Sequence, residues 1–318
     1  MNHALANIPF FDAVQDSRRI LIAGAGGGCD IYCGLPIYLA LQGGDREVHL
    51  ANLSFSNLHS AIGESPTPAL VTVDADTDGS TQYFPERRLC EWFRDQGKEI
   101  EVNCFHRTGV KPLRAAYQYL VDAHKIDTII LVDAGTDSLA RGDEYGLGTP
   151  QEDMASLAAV SQVDVPHKLL LCLGFGVDAY HGICHAQFLE SVAALAASGG
   201  FLGAFSLLPS MAEAVQYREA VSHLSEHLRG YESIVNTSIQ AAVEGKYGDY
   251  HSSDRTRGGK LWINPLMSLY WAFDASSVAD RSLYLDQVLE THTYQELSMA
   301  IEKFRHHCDR KSWDSIPV

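Results

Sequence analysis

Twice in this chain a run of β-branched residues stops at glycine and acid. RILIA (residues 19–23) runs into Gly24-Ala25-Gly26-Gly27-Gly28-Cys29-Asp30, and TIILV (128–132) runs into Asp133-Ala134-Gly135-Thr136-Asp137-Ser138. Continuous apolar runs without alternation suit strands buried on both faces, the hallmark of parallel sheets covered by helices. Five further runs read as strands, at 47–53, 69–73, 100–105, 168–173 and 201–207. Helical patterns fall between several of them, at 31–42, 87–96, 111–124, 152–160 and 183–198. This alternation predicts an α/β fold with a doubly wound, mostly parallel sheet.

The last third changes character. Residues 211–228 and 294–307 carry helical periodicity, 234–243 is a shorter candidate, and 260–272, KLWINPLMSLYWA, is apolar and aromatic. No linker composition divides the chain. The expectation is one α/β domain over 1–318, with a sheet core at 1–210 and a helical extension at 211–318 packed on it.

A net charge of −16 argues against nucleic acid, whose phosphates need a basic face, and against an anionic membrane surface. No run approaches the roughly 18 apolar residues of a membrane span. The first residues lack the basic start and apolar core of a secretory signal. The seven cysteines, at 29, 33, 90, 104, 172, 184 and 308, form no paired metal cage and read as reduced thiols of a cytoplasmic protein. A homo-oligomer stays open.

In open α/β sheets, ligands bind beyond the carboxyl ends of the strands. The loop of Gly24, Gly26, Gly27 and Gly28 stands where a glycine-rich turn admits a phosphate to a helix N-terminus. It departs from the dinucleotide fingerprint, because Cys29 replaces the third glycine and the run 47–53 ends in HLANLSF, without a ribose-binding acid. NAD is therefore not expected. Asp30, which would repel a phosphate there, suits a cap, a sugar hydroxyl or a cation.

Asp133 and Asp137, with a bend at Gly135, are the leading catalytic candidates. They read either as ligands of a divalent cation, Mg2+ or Ca2+, or as a general acid and base. Thr136, Ser138 and Arg141 lie in the same loop as ligand contacts. A capped turn is the competing reading. A third strand end, Gly174-Phe175-Gly176-Val177-Asp178-Ala179-Tyr180-His181, offers Asp178 and His181 as acid/base or substrate groups and Gly174 and Gly176 as ligand contacts. His181 and His185 would share a helical face, but HGICH lacks the glutamate of a zinc-protease helix, so zinc is not expected.

The acids of VDADTDG (73–79) read as a solvated turn, since Pro85 stands where a calcium loop would end in glutamate. Asn236-Thr237-Ser238 reads as a helix cap. Arg255, Arg257 and Lys260 concentrate cations in an acidic chain, and Arg255 and Arg257 are candidate ligand contacts.

The stretches GAGGGCDIYCGLP, VDAGTDSLARGDEYGLGTPQEDMASLAAV, GFGVDAYHGICH and INPLMSLYW together resemble the family catalogued as domain of unknown function 1152, from about residue 19 to 279. The resemblance implies a Rossmann-like α/β protein and brings no activity, substrate or catalytic residue. Members usually carry glycine at the position of Cys29, and often a second glycine at that of Ala134. The expected function is an enzyme, a hydrolase or group transferase, acting on a nucleotide-like or phosphorylated small molecule. A non-catalytic metabolite sensor and a methyl donor-dependent transferase are the alternatives. The missing acid after 47–53 counts against the transferase.

Overall fold

All seven expected strands form, each within two residues of its expected bounds: β1 (Arg19–Gly24), β2 (Glu47–Leu53), β3 (Leu70–Val73), β4 (Val102–Phe105), β5 (Thr128–Ala134), β6 (His167–Leu173) and β7 (Phe201–Ser206). β8 (Gly248–Asp249) and β9 (Trp262–Ile263) make a two-stranded ribbon, and β10 (Leu269–Asp274) joins the main sheet. The helices are α1 (Pro9–Ala13), α2 (Asp30–Leu41), α3 (Pro85–Asp95), α4 (Val110–His124), α5 (Pro150–Ser161), α6 (His185–Ser198), α7 (Ala212–His227), α8 (Ile234–Val243), α9 (Ala275–Asp280), α10 (Leu285–Val288) and α11 (Tyr294–His307). The computed structural model describes residues 6–58, 66–79, 82–259 and 261–314; Lys260, one of the three clustered cations, lies outside them.

The sheet order is β3-β4-β2-β1-β5-β6-β10-β7. β1 pairs in parallel with both β2 and β5, and the parallel run continues to β4 on one side and β6 on the other. The chain thus winds outward from β1 in two directions, and the winding reverses between β1 and β5. That reversal opens a crevice beyond the carboxyl ends of these two strands. β3 is antiparallel to β4 at one edge.

Successive residues of the strands point to opposite faces, which divides the core in two. Ile20, Ile22, Ile130 and Val132 pack with α2, α3 and α7. Leu21, Ala23, Ile129 and Leu131 pack with α4, α5, α6 and α11. Gly34 brings α2 close to the sheet: a Cβ there would fall 2.9 Å from Ile22 Cγ2. The helix therefore lies against β1 with its first residue, Asp30, at the crevice.

Helices dominate the last third, as expected, but this part also lays a strand into the sheet. β10 runs antiparallel between β6 and β7. Tyr270 and Ala272 enter one core, and Phe273 enters the other. A short apolar run buried on both faces has no periodicity to distinguish strand from helix. Among the described residues, no helix is long and apolar enough to cross a membrane.

Candidate functional site

Five aspartates from four segments meet at the crevice. Asp133 ends β5, Asp137 opens the short 3-10 turn Asp137–Leu139, and Asp178 lies in a second one, Val177–His181. Asp30 is in the first turn of α2, and Asp153 is in the first turn of α5. All are buried, none more than 8% exposed. One carboxylate oxygen each of Asp133, Asp137 and Asp153 lies within 4.8 Å of the others.

The polypeptide holds these groups in place through hydroxyls and N–H groups. Asp133 Oδ2 accepts from Ser138 N at 3.0 Å and from Cys172 Sγ at 3.7 Å. Asp137 Oδ2 accepts from both N and Oγ1 of Thr149, at 2.8 and 2.9 Å. Asp178 Oδ2 accepts from Thr136 N at 2.7 Å. Asp153 is held at both oxygens, by Ser138 Oγ at 3.0 Å and by Thr149 Oγ1 at 2.9 Å, whose single proton Asp153 shares with Asp137. For Asp133, Asp137 and Asp178 the described hydrogen bonds all fall on Oδ2.

Glycines make room for the carboxylates. A Cβ on Gly26 would fall 2.7 Å from Asp153 Oδ1 and 2.8 Å from Asp30 Oδ2. Gly148, with φ +63°, faces Asp137 Oδ2 at 2.1 Å in the same sense. Both positions require a residue without a side chain.

Burial and mutual repulsion raise the pKa values of Asp30, Asp133, Asp153 and Asp178, because both penalise the charged form. Asp30 is pushed up to about 8, first by burial, against backbone N–H bonds from Ala134, Gly26 and Gly27 that favour its anion. Asp133, Asp153 and Asp178 lie well above the usual carboxylate range, first through burial and next through the charge of Asp137. Among the described residues, no Lys, Arg or His forms an ion pair with any of the five.

The glycine loop follows β1 and precedes α2, at the same end of the sheet as Asp133. Its N–H groups are engaged: Gly26 N donates to Asp30 Oδ2 at 2.7 Å, and Gly28 N donates to Leu53 O at 3.1 Å. The Asp30 carboxylate thus occupies the place where a phosphate was expected. Burial pushes the Cys29 thiol up to about 12. Gly174 and Gly176, at φ +105° and +90°, form the turn that delivers Asp178.

Other expected residues lie elsewhere. His181 is exposed at the end of its 3-10 turn. His185 begins α6 beyond Gly182, so the two histidines do not share a helix. Arg141 pairs with Asp143 at 3.2 Å. Arg257 pairs with Asp254 in an exposed turn, and Arg255 donates to the Glu232 carbonyl. Residues 236–238, expected as a helix cap, lie inside α8, which Ser233 caps instead; Asn236 reaches the Cys29 carbonyl at 3.2 Å and takes the Tyr217 hydroxyl at 2.8 Å. Asp74 ties its own turn, and Asp76 pairs with Arg94 at 2.7 Å.

Asp153 was not among the expected site residues. It follows Thr149-Pro150 in the first turn of α5, where acids are ordinary company for the helix dipole. A cavity of about 990 Å3 lies at the opposite end of the sheet, lined by Glu47, His49, Glu99 and Glu101 near the starts of β2 and β4. The crevice end is the stronger site, because buried carboxylates without counter-charge are costly unless something neutralises them.

No curated protein and no solved structure matched the chain. A family model described as "Protein of unknown function (DUF1152)" matched residues 64–308. That stretch contains Asp133, Asp137, Asp153 and Asp178 and begins after the glycine loop. Covering well over half of the 318 residues, this match places the chain in the DUF1152 family.

Proposed function

We propose that the protein is a cation-dependent enzyme acting on a phosphorylated or nucleotide-like small molecule, by hydrolysis or group transfer, at the crevice between β1 and β5. One observation carries this reading: Asp133, Asp137 and Asp153 are buried within mutual reach of a single ion, and among the described residues no cationic side chain forms an ion pair with them. Oxygens bound to one hard cation at about 2.0–2.6 Å fall at such separations. An all-carboxylate set favours Mg2+, Ca2+ or Mn2+ over softer metals. The cation would bind through the Oδ1 atoms of Asp133 and Asp137, whose Oδ2 atoms the backbone already holds.

Asp30 and Asp178 complete the chemistry. A carboxyl group with a pKa of about 8 exchanges its proton near neutral pH, which is what a general acid or base must do. The cation would withdraw electrons from a bound phosphoryl oxygen and lower the pKa of a bound water.

The test is calorimetric titration of metal-stripped protein with Mg2+, Ca2+ and Mn2+, followed by a turnover screen of phosphate monoesters, nucleotides and sugar phosphates. Stoichiometric binding with cation-dependent turnover is expected. Absence of binding by all three ions at millimolar concentration would overturn the metal centre. Cation binding with ligand-induced stabilisation but no turnover would replace the enzyme with a sensor.

A further inference from the structure

Beyond the carboxyl ends of β2 and β4 opens a cavity of about 690 Å3, whose lining includes Ser54, Phe55, His106, Arg107, Thr108 and Tyr294. Among the described residues its lining contains no Asp or Glu, although the chain carries a net charge of −16. The Arg107 guanidinium sits between two rings, 5.1 Å from the centroid of Phe55 and 5.5 Å from that of Tyr294. Its carboxylate partner, Glu152, is 3.9 Å away, at the outer limit of an ion pair. Glu152 also accepts the Tyr294 hydroxyl at 2.9 Å. The fork is therefore oriented by aromatic faces and by the Tyr294 hydroxyl, while its carboxylate holds it only at the limit of an ion pair.

This cavity adjoins the aspartate centre on two sides. Glu152 precedes Asp153 in the chain. The Phe55 ring lies against the glycine loop, so that a Cβ on Gly27 would fall 2.3 Å from it.

We propose that the cavity is the subsite for the phosphate arm of the substrate, with the planar fork of Arg107 as its principal contact. The inference rests on the cation-dependent reading above and adds to it. The glycine loop, whose N–H groups hold Asp30, does not take the phosphate. An arm bound at Arg107 leaves the rest of the molecule to extend past Phe55 to the aspartates.

The probe is inorganic pyrophosphate, titrated calorimetrically into metal-stripped wild-type protein, R107Q and R107K. R107Q is expected to bind about tenfold more weakly or worse, as loss of a charge-assisted hydrogen bond implies. Thermal melting checks that it is folded. R107K keeps the charge without the planar fork, and is expected to bind more weakly than wild type. Succinate at equal concentration should not displace pyrophosphate. Three outcomes would overturn the subsite: no wild-type binding at millimolar pyrophosphate, wild-type affinity in R107Q or R107K, or displacement by succinate. Cation binding without pyrophosphate binding removes the subsite alone. Pyrophosphate binding without cation binding removes the metal centre alone.

Discussion

Asp137 sits among four other buried aspartates, yet its own hydrogen bonds are those of an ordinary turn. Thr149 N and Oγ1 both donate to its Oδ2, and an asparagine carbonyl would accept them equally well. Asp137→Asn should therefore keep the fold, at a cost of about 1 kcal/mol or less, while cation affinity falls about tenfold or more. Melting temperature and calorimetry on the same variant separate the two effects. A variant of reduced stability that binds the cation like wild type would make Asp137 a capping residue. Four of the five aspartates were legible in the sequence because each follows a strand end, where a polar residue after an apolar run stands out. Asp153 was hidden because a helix start explains it locally. Arg107 was hidden because nothing in HRTG, the sequence after β4, distinguishes a fork held between two rings from an ordinary surface arginine. His181 stood out for its chemistry alone, and the short turn that ends at it leaves the ring in solvent.

The loops that deliver these side chains depend on how closely backbone and carboxylate pack. Gly148 and Gly44 have nearly the same backbone angle, φ +63° and +62°. A Cβ at Gly44 meets nothing within 4 Å, whereas one at Gly148 falls 2.1 Å from Asp137 Oδ2. Gly44→Ala should thus show only the left-handed backbone penalty, roughly 1–2 kcal/mol. Gly148→Ala should cost more and should also weaken cation binding, since Asp137 must move. Urea unfolding of both, with cation titration, tests this; equal costs and intact binding would mean that the 148 loop tolerates the displacement. The strands themselves were legible because β-branched runs bounded by glycine have few alternative readings. β10 was not, because YWAF is apolar on both faces and follows the 3-10 turn Pro265–Ser268 without a glycine to mark its start.

The aspartate centre bears on the stability of the whole molecule through protons. Unfolded carboxylates titrate near about 4, whereas Asp30 in the folded protein is held up to about 8. Between those values the folded state binds more protons than the unfolded one, so stability falls as pH rises. His49, His185 and His223, held below their usual value mainly by burial, act in the opposite direction, but only below about pH 6.5. In EDTA, the melting temperature should therefore decline from about pH 6.5 to about pH 8, the window set by the Asp30 shift. A divalent cation should raise the melting temperature, and more so at the upper end, because binding must displace protons. A melting temperature in EDTA that does not fall across this window would mean that the Asp30 carboxyl takes up no extra proton on folding.

The position of β10 bears on how the protein is made. It comes last in chain order among the eight strands of the sheet, yet it lies inside it, flanked by β6 and β7. While the ribosome is still short of residue 269, β6 has an open edge and β7 has no neighbour to pair with. Burying Tyr270 and Phe273 contributes about 1.5–3 kcal/mol each, and that contribution arrives only when the final strand docks. Unpaired strand edges invite association with other chains. Released chains truncated before Leu269 should be digested by protease from the β6 edge onward, while the 318-residue chain should resist. The strands around β1, which carry the glycine loop and Asp133, have all their sheet neighbours in place by the end of β6, and wait on the last third only for α7 and α11 to cover their two faces.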